Sequence, residues 1–237
     1  MNLSDSCRMI GSPTSVRQAA QRENMQFPLS LKAFITALGC PFSKCIRIHL
    51  KVLTSPTVPL SSMLVRMRQV YQTADIGVEV VSRESLANIP NFSVLNDLNV
   101  GACQLGTPPT PQQNQLFQNR NNVEANEIVV YFVRSLVPAN NGCATFPAGS
   151  PGAAVAQIAS RWTTAHEVGH VLGLQHISGE NTNCPPTNPN CCSTPDFTRL
   201  MTGCGTGNIT GVPTIVQAEI NTMRTSSLSN ECRKAVA

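Results

Sequence analysis

The segment HEVGHVLGLQH, residues 166–176, holds three of the chain's four histidines, and its spacing restricts what the chain around it can do. On an α-helix, residues four apart point the same way to within about 40°. His166 and His170 therefore project side by side, and two imidazoles one turn apart can grip one metal ion. Glu167 lies about 60° round the helix from His170, beside such an ion, where it can reach a bound water without being a ligand. A helix that continued would turn His176 about 240° away from His170, so it must end first. Gly173 stands where a positive-φ cap can reverse the chain and bring His176 back. A match to HExxHxxGxxH is expected on the order of once in 10⁵–10⁶ chains of this composition.

The flanking residues suit that helix. Ser160 can cap it, and Ala165, Val168 and Leu172 form an apolar stripe for packing on a sheet. Trp162, one turn before His166, either walls the site or packs in the core.

Upstream, CIRIHLKVLT (45–54) alternates apolar and polar residues with the period of a half-buried strand. That alternation puts His49 on the polar face, where a solvated side chain is expected rather than a metal ligand. SSMLVRMRQVYQTAD (61–75) reads as a helix with Leu64, Met67 or Arg68, and Tyr71 along one side. IGVEVVS (76–82) reads as a second strand. EIVVYFVRSLV (127–137) reads as a third, apolar on both faces and so interior to the sheet. Between them, TPQQNQLFQNR (110–120) carries a capping box with Thr110 at N-cap, Pro111 at N1 and Gln113 at N3, which predicts a short helix. NGCATFPAGSPGAAVAQIA (141–159) reads as two short extended pieces. This order, with a helix after the sheet, predicts an α/β or α+β fold.

Ten cysteines, an even number scattered along the chain, favour disulfides and an oxidising, secreted or extracytoplasmic setting. A structural zinc site would need answering CxxC-type pairs, and Cys40–Cys45 has none. NCPPTNPNCCSTPD (183–196) is too polar and Pro-rich to pack by itself. Disulfides among Cys184, Cys191, Cys192 and Cys204 are expected to staple it, with the adjacent Cys191 and Cys192 taking different partners. No signal peptide is visible from Met1; a weak alternative begins at Met25, where MQFPLSLKAFITALGC (25–40) has an apolar stretch ending in small residues but carries Lys32 inside it and lacks a charged start. Residues 1–42 read as an N-terminal extension or pro-segment containing a short amphipathic helix (LSLKAFITALG), and 43–237 as the functional domain. Formal charge is +4 with no basic run, so neither nucleic acid nor a membrane surface is an expected partner. No stretch is long enough to span a bilayer. We expect a monomer. With only four aspartates, no dedicated calcium site is expected, although backbone carbonyls could still make one. NFS (91–93) and NIT (208–210) fit the glycosylation sequon.

HEVGHVLGLQH resembles the extended zinc-binding motif of the metzincin metallopeptidases, and LMTG (200–203), 25 residues from His176 to Met201, resembles their Met-turn. The resemblance implies a twisted mixed sheet with an active-site helix and a smaller, irregular, disulfide-stapled C-terminal subdomain. It implies one Zn²⁺ held by His166, His170 and His176, Glu167 as general base, and Met201 as an apolar floor. An antiparallel edge strand that pairs with substrate would fall near 141–148. Ile177 follows the third histidine and matches no subfamily. No tyrosine stands near Met201, so the tyrosine ligand of astacin-like and serralysin-like members is absent. Cys204, Gln217, Met223 and Arg224 are weakly similar to the pappalysin branch. Cys7 as a latency thiolate on zinc is a further reading, although DSCRMIGSP lacks matching surroundings.

The expected activity is zinc-dependent endopeptidase cleavage of protein or peptide substrates. The alternative is a zinc-binding module of the same fold without turnover, against which Glu167 argues, because a structural site gains nothing from a base there. In a third reading the histidines sit on a plain core helix, which would leave three converging imidazoles poorly satisfied.

Overall fold

The computed structural model describes residues 42–87, 90–104, 106–177 and 195–232. The 1–42 extension (save Phe42), its short helix, Cys7 and the 183–194 part of the cysteine-rich loop lie outside the described residues. The fold is mixed α/β. A five-stranded sheet has the order β2–β1–β4–β7–β6, built from β1 (Lys44–Val52), β2 (Ile76–Ser85), β4 (Ile128–Val133), β6 (Gly142–Cys143) and β7 (Gly152–Ala156). Its first four strands in that order are parallel, and β6 runs antiparallel along the edge beside β7.

Both faces of the sheet are covered, which is what a parallel sheet requires. On one face Ile46, Ile48, Leu50, Val130, Phe132 and Val155 pack against helix α1 (Leu60–Tyr71) and the histidine-bearing helix α3 (Thr163–Val171). Helix α1 buries Leu60, Met63, Met67, Val70 and Tyr71. Leu64 is only partly buried, so the apolar stripe is centred one position from the expected one. On the opposite face Val129, Tyr131 and Ala154 pack on Leu116 and Phe117 of helix α2 (Pro111–Phe117) and on the small parallel pair β3 (Asp97–Asn99) and β5 (Ser135–Val137). The capping box of α2 forms as its sequence predicts: Thr110 accepts from the Gln113 backbone N–H, and the Gln113 side chain accepts from Thr110 N–H.

Two expectations are corrected. The 127–137 run is not one strand, because the chain breaks at Arg134, whose guanidinium pairs with Asp97, and β5 leaves for the second sheet. Strand β1 is not half-buried, and His49 is not solvated. β1 lies between β2 and β4, so the face that carries Arg47, His49 and Lys51 is covered as well, and His49 is 1% exposed. Its Nδ1 bonds Ser82 Oγ at 2.8 Å and its Nε2 bonds Glu127 at 2.7 Å. Lys51 donates to Glu84 at 2.6 Å, and Arg47 pairs with Glu127. Alternation reports which residues share a face, not whether a neighbouring element covers it. A register shift between Ile48 and His49 brings Ser82 opposite the histidine.

From residue 195 the chain passes beneath α3 at Met201, makes a short 3₁₀ turn (Thr206–Asn208) and closes with helix α4 (Gln217–Thr225). Disulfide Cys45–Cys232 ties the end of this segment to β1, and Cys103–Cys143 fastens edge strand β6. No helix among the described residues is long and apolar enough to cross a membrane.

Candidate metal centre

Helix α3 is entered through a turn in which Ser160 Oγ accepts the Trp162 N–H at 3.2 Å and meets the hydroxyls of Thr163 and Thr206. The N-cap is Trp162, which makes no side-chain capping bond, so the expected cap at Ser160 is corrected: its hydroxyl orders the turn that precedes the helix. Ala165, Val168 and Leu172 are buried against the sheet. Tyr71 Oη, at the end of α1, donates to the Ala165 carbonyl at 2.8 Å and fixes the helix just before His166.

The helix stops at Leu172. Gly173 has φ +101°, its N–H donates to His170 O at 2.9 Å, and Leu174 N–H donates to Gly169 O at 3.0 Å. This pair of bonds is the Schellman closure, which needs a left-handed residue at the position Gly173 occupies. The reversal carries His176 to the same point as the other two histidines. The Nε2 atoms of His166, His170 and His176 lie 3.0–3.2 Å from one another.

Three ring nitrogens at that spacing need something between them. His166 Nδ1 donates to Leu200 O and His170 Nδ1 to Leu174 O, each at 2.8 Å. A carbonyl accepts only from N–H, so both Nε2 atoms carry lone pairs that face each other. Burial, together with the neighbouring His170 and His176, holds His166 well below the ordinary histidine pKa. Burial and His176 bring His170 to about 4, and burial also lowers His176. The rings are therefore neutral at pH 7, as metal ligands must be. A tetrahedral ion with metal–nitrogen bonds of about 2.0–2.1 Å has ligand atoms about 3.3 Å apart. The observed triangle is close to that edge, and this is the one His/Cys/Asp/Glu group among the described residues that could hold a metal ion.

Glu167 is buried, and burial pushes its carboxyl up to about 8. It lies against edge strand β6: a Cβ placed on Gly142 would come within 2.5 Å of Glu167 Cδ. Met201 is fully buried under the same helix, and a Cβ on Gly169 would meet its Sδ at 2.9 Å. Ile177 N–H donates to the Met201 carbonyl at 3.2 Å, joining the segment after His176 to the turn. Trp162 is 1% exposed and belongs to the core.

Several contributors were not singled out from sequence. Gly169 had a legible signal, since a glycine inside a helix costs about 1 kcal/mol relative to alanine and so marks a close approach. Gly142 had none, because its role depends on β6 lying beside α3. The carbonyls of Leu200 and Leu174, like the hydroxyl of Tyr71, act through contacts that no local pattern encodes.

No family model and no curated protein matches the chain. Among solved structures it is similar to metalloproteinase-II from Bacteroides fragilis, with 12% identity and a TM-score of 0.48, over 77% of this chain and 53% of that one. It is also similar to a chain in a chaperone–substrate complex (16% identity, TM-score 0.44, 80% of this chain and 36% of that one). A third likeness is to archaemetzincin from Methanopyrus kandleri (15% identity, TM-score 0.38, 80% and 90%). The chain thus spans about half of the first of these proteins and about a third of the second. At such TM-scores the likenesses carry no weight for the site, whose reading rests on its own geometry.

Proposed function

We propose that the protein is a metzincin-type zinc endopeptidase, with His166, His170 and His176 as ligands, Glu167 as general base and Met201 as the apolar support beneath the site. The observation that carries this reading is the convergence of three neutral imidazoles on one point, next to a carboxylate that takes no part in the triangle. An all-nitrogen, three-ligand set suits Zn²⁺ and leaves a fourth position open. When bound, zinc supplies a water acidified to about pKa 7 and polarises a carbonyl oxygen.

The chain's own residues do the rest. The carbonyls of Leu200 and Leu174 hold the Nδ1 protons of His166 and His170, which fixes ring orientation and directs each Nε2 inward. In the ionised form that an adjacent bound cation would favour, Glu167 takes the water's proton on its carboxylate as the scissile peptide carbonyl is attacked, then hands that proton to the leaving amine. Edge strand β6 offers its backbone beside Glu167 for an extended substrate, in the manner of strand addition.

Residues 43–237 would form the catalytic domain and 1–42 an extension. Protein or peptide chains are the substrates and a monomer is the expected form. Disulfides Cys45–Cys232 and Cys103–Cys143 support an extracytoplasmic setting. The test is incubation with a denatured protein, with and without a zinc chelator, alongside Glu167→Ala. Cleavage that chelation stops and zinc restores, and that Glu167→Ala abolishes while keeping its metal, supports the reading. Metal without cleavage of any denatured protein would favour the binding module without turnover.

A further inference from the structure

A pocket of about 560 Å³ opens where the start of α1, the entry to α3 and the turn after Met201 meet. Its polar lining consists of donors and hydroxyls: Arg66, Arg161, Ser61, Ser62, Ser160 and Thr206, with no carboxylate among the lining residues. Arg66 reaches Gln69 Oε1 at 2.7 Å and Arg161 reaches the Thr210 carbonyl at 3.3 Å. Among the described residues neither guanidinium has an acidic partner. The twelve-residue helix α1 starts here with no side-chain cap and no acidic residue in its first turn, so its positive end is uncompensated. Trp162 forms part of the wall, and its buried indole N–H has no acceptor. Val65 and Ile209 add apolar surface.

Two guanidiniums and a helix N-terminus in one concavity ask for an acceptor that bears negative charge, and the apolar wall asks for a short hydrocarbon stem. We propose that this pocket binds a carboxylate on an aliphatic stem, either the side chain of an acidic residue in a peptide or a free organic acid of similar size. The pocket lies one turn before His166, whose N–H donates to the Trp162 carbonyl at 3.0 Å, and it involves neither the ligands nor Glu167. The inference is independent of the peptidase reading.

Trp162 is the only tryptophan, and the Arg66 guanidinium carbon sits 5.7 Å from its ring centroid, so capture of a carboxylate by Arg66 alters the indole's surroundings. The experiment is a fluorescence titration of the full, oxidised chain with three probes: N-acetylglutamic acid amide, its neutral N-acetylglutamine counterpart, and glutarate. The expected result is a saturable change with at least one carboxylate and none with the neutral probe. Affinity should fall at least tenfold in Arg66→Gln and in Arg161→Gln, both checked for folding by circular dichroism. Tighter binding of the amino-acid derivative assigns the site to a peptide side chain, and tighter binding of glutarate assigns it to a free acid. An equal response to the neutral probe, no response to either carboxylate, or unchanged affinity in both folded arginine variants would overturn the proposal.

Discussion

Gly142 on the edge strand and Glu167 on the histidine helix are packed so closely that a single methyl group on the glycine would overlap the glutamate's Cγ, Cδ and Oε1. Glu167 has the sheet edge on one side and its own helix on the other, and β6 has no room to retreat, since Cys143 is tied to Cys103. Gly142→Ala should therefore displace the carboxylate and lower kcat by at least tenfold. The three atoms nearest the added methyl group all belong to Glu167 and none to an imidazole, so metal content should stay at the wild-type level. Unchanged kcat together with unchanged metal content would remove Gly142 from any positioning role.

The edge strand depends on its staple. A disulfide that closes a loop of this length, with a sequence separation of 40, stabilises by about 4 kcal/mol in the chain-entropy view. Replacing Cys103 and Cys143 by serine should lower the urea midpoint accordingly. Gln113 donates to the Thr145 carbonyl at 3.0 Å and reaches Cys143 Sγ, and it would then be the side-chain tie that remains beside the backbone pairing of β6 with β7. Adding Gln113→Ala should speed hydrogen exchange at residues 142–145 more than elsewhere in the sheet.

Much of this was legible in advance, and the failures share a cause. The Thr110 capping box, the end of α3 at Gly173 and the convergence of the histidines are set by residues within one or two turns of each other, so spacing alone defines them. His49 was misread because its burial comes from Glu127, 78 positions away, and from the covering of β1 on both faces. The break at Arg134 likewise comes with a distant partner, since the residues after it pair with β3 rather than with the main sheet.

The buried charges on β1 give a pH prediction. Burial alone would push the Glu127 carboxyl up, but the Glu124 N–H, the His49 ring and the Arg47 guanidinium outweigh it, and the net position is below the ordinary value of 4.5. A carboxyl whose folded pKa is depressed contributes stability in full above its unfolded pKa, and that contribution is lost as pH falls through the folded one. The urea midpoint should therefore drop as pH is lowered from about 4.5. Glu127→Gln should cost about 3 kcal/mol at pH 7, because Arg47 loses its buried partner, and its deficit should shrink in acid. A deficit that stays constant with pH would contradict the assignment.

Gly169 offers a check on the helix. On propensity alone, alanine should stabilise an interior helical position by about 1 kcal/mol. Here its methyl group would press on buried Met201 at 2.9 Å, so Gly169→Ala should lower the thermal midpoint instead. A rise would mean that Met201 can move aside freely.

The central claim is that three imidazoles hold one metal ion, and elemental analysis of the purified, oxidised protein tests it most directly. The account predicts about one zinc per chain, retained in Glu167→Ala and lost in His170→Ala and His176→Ala variants that remain folded. Wild-type protein that takes up no stoichiometric transition metal, even after incubation with zinc at neutral pH, would contradict it.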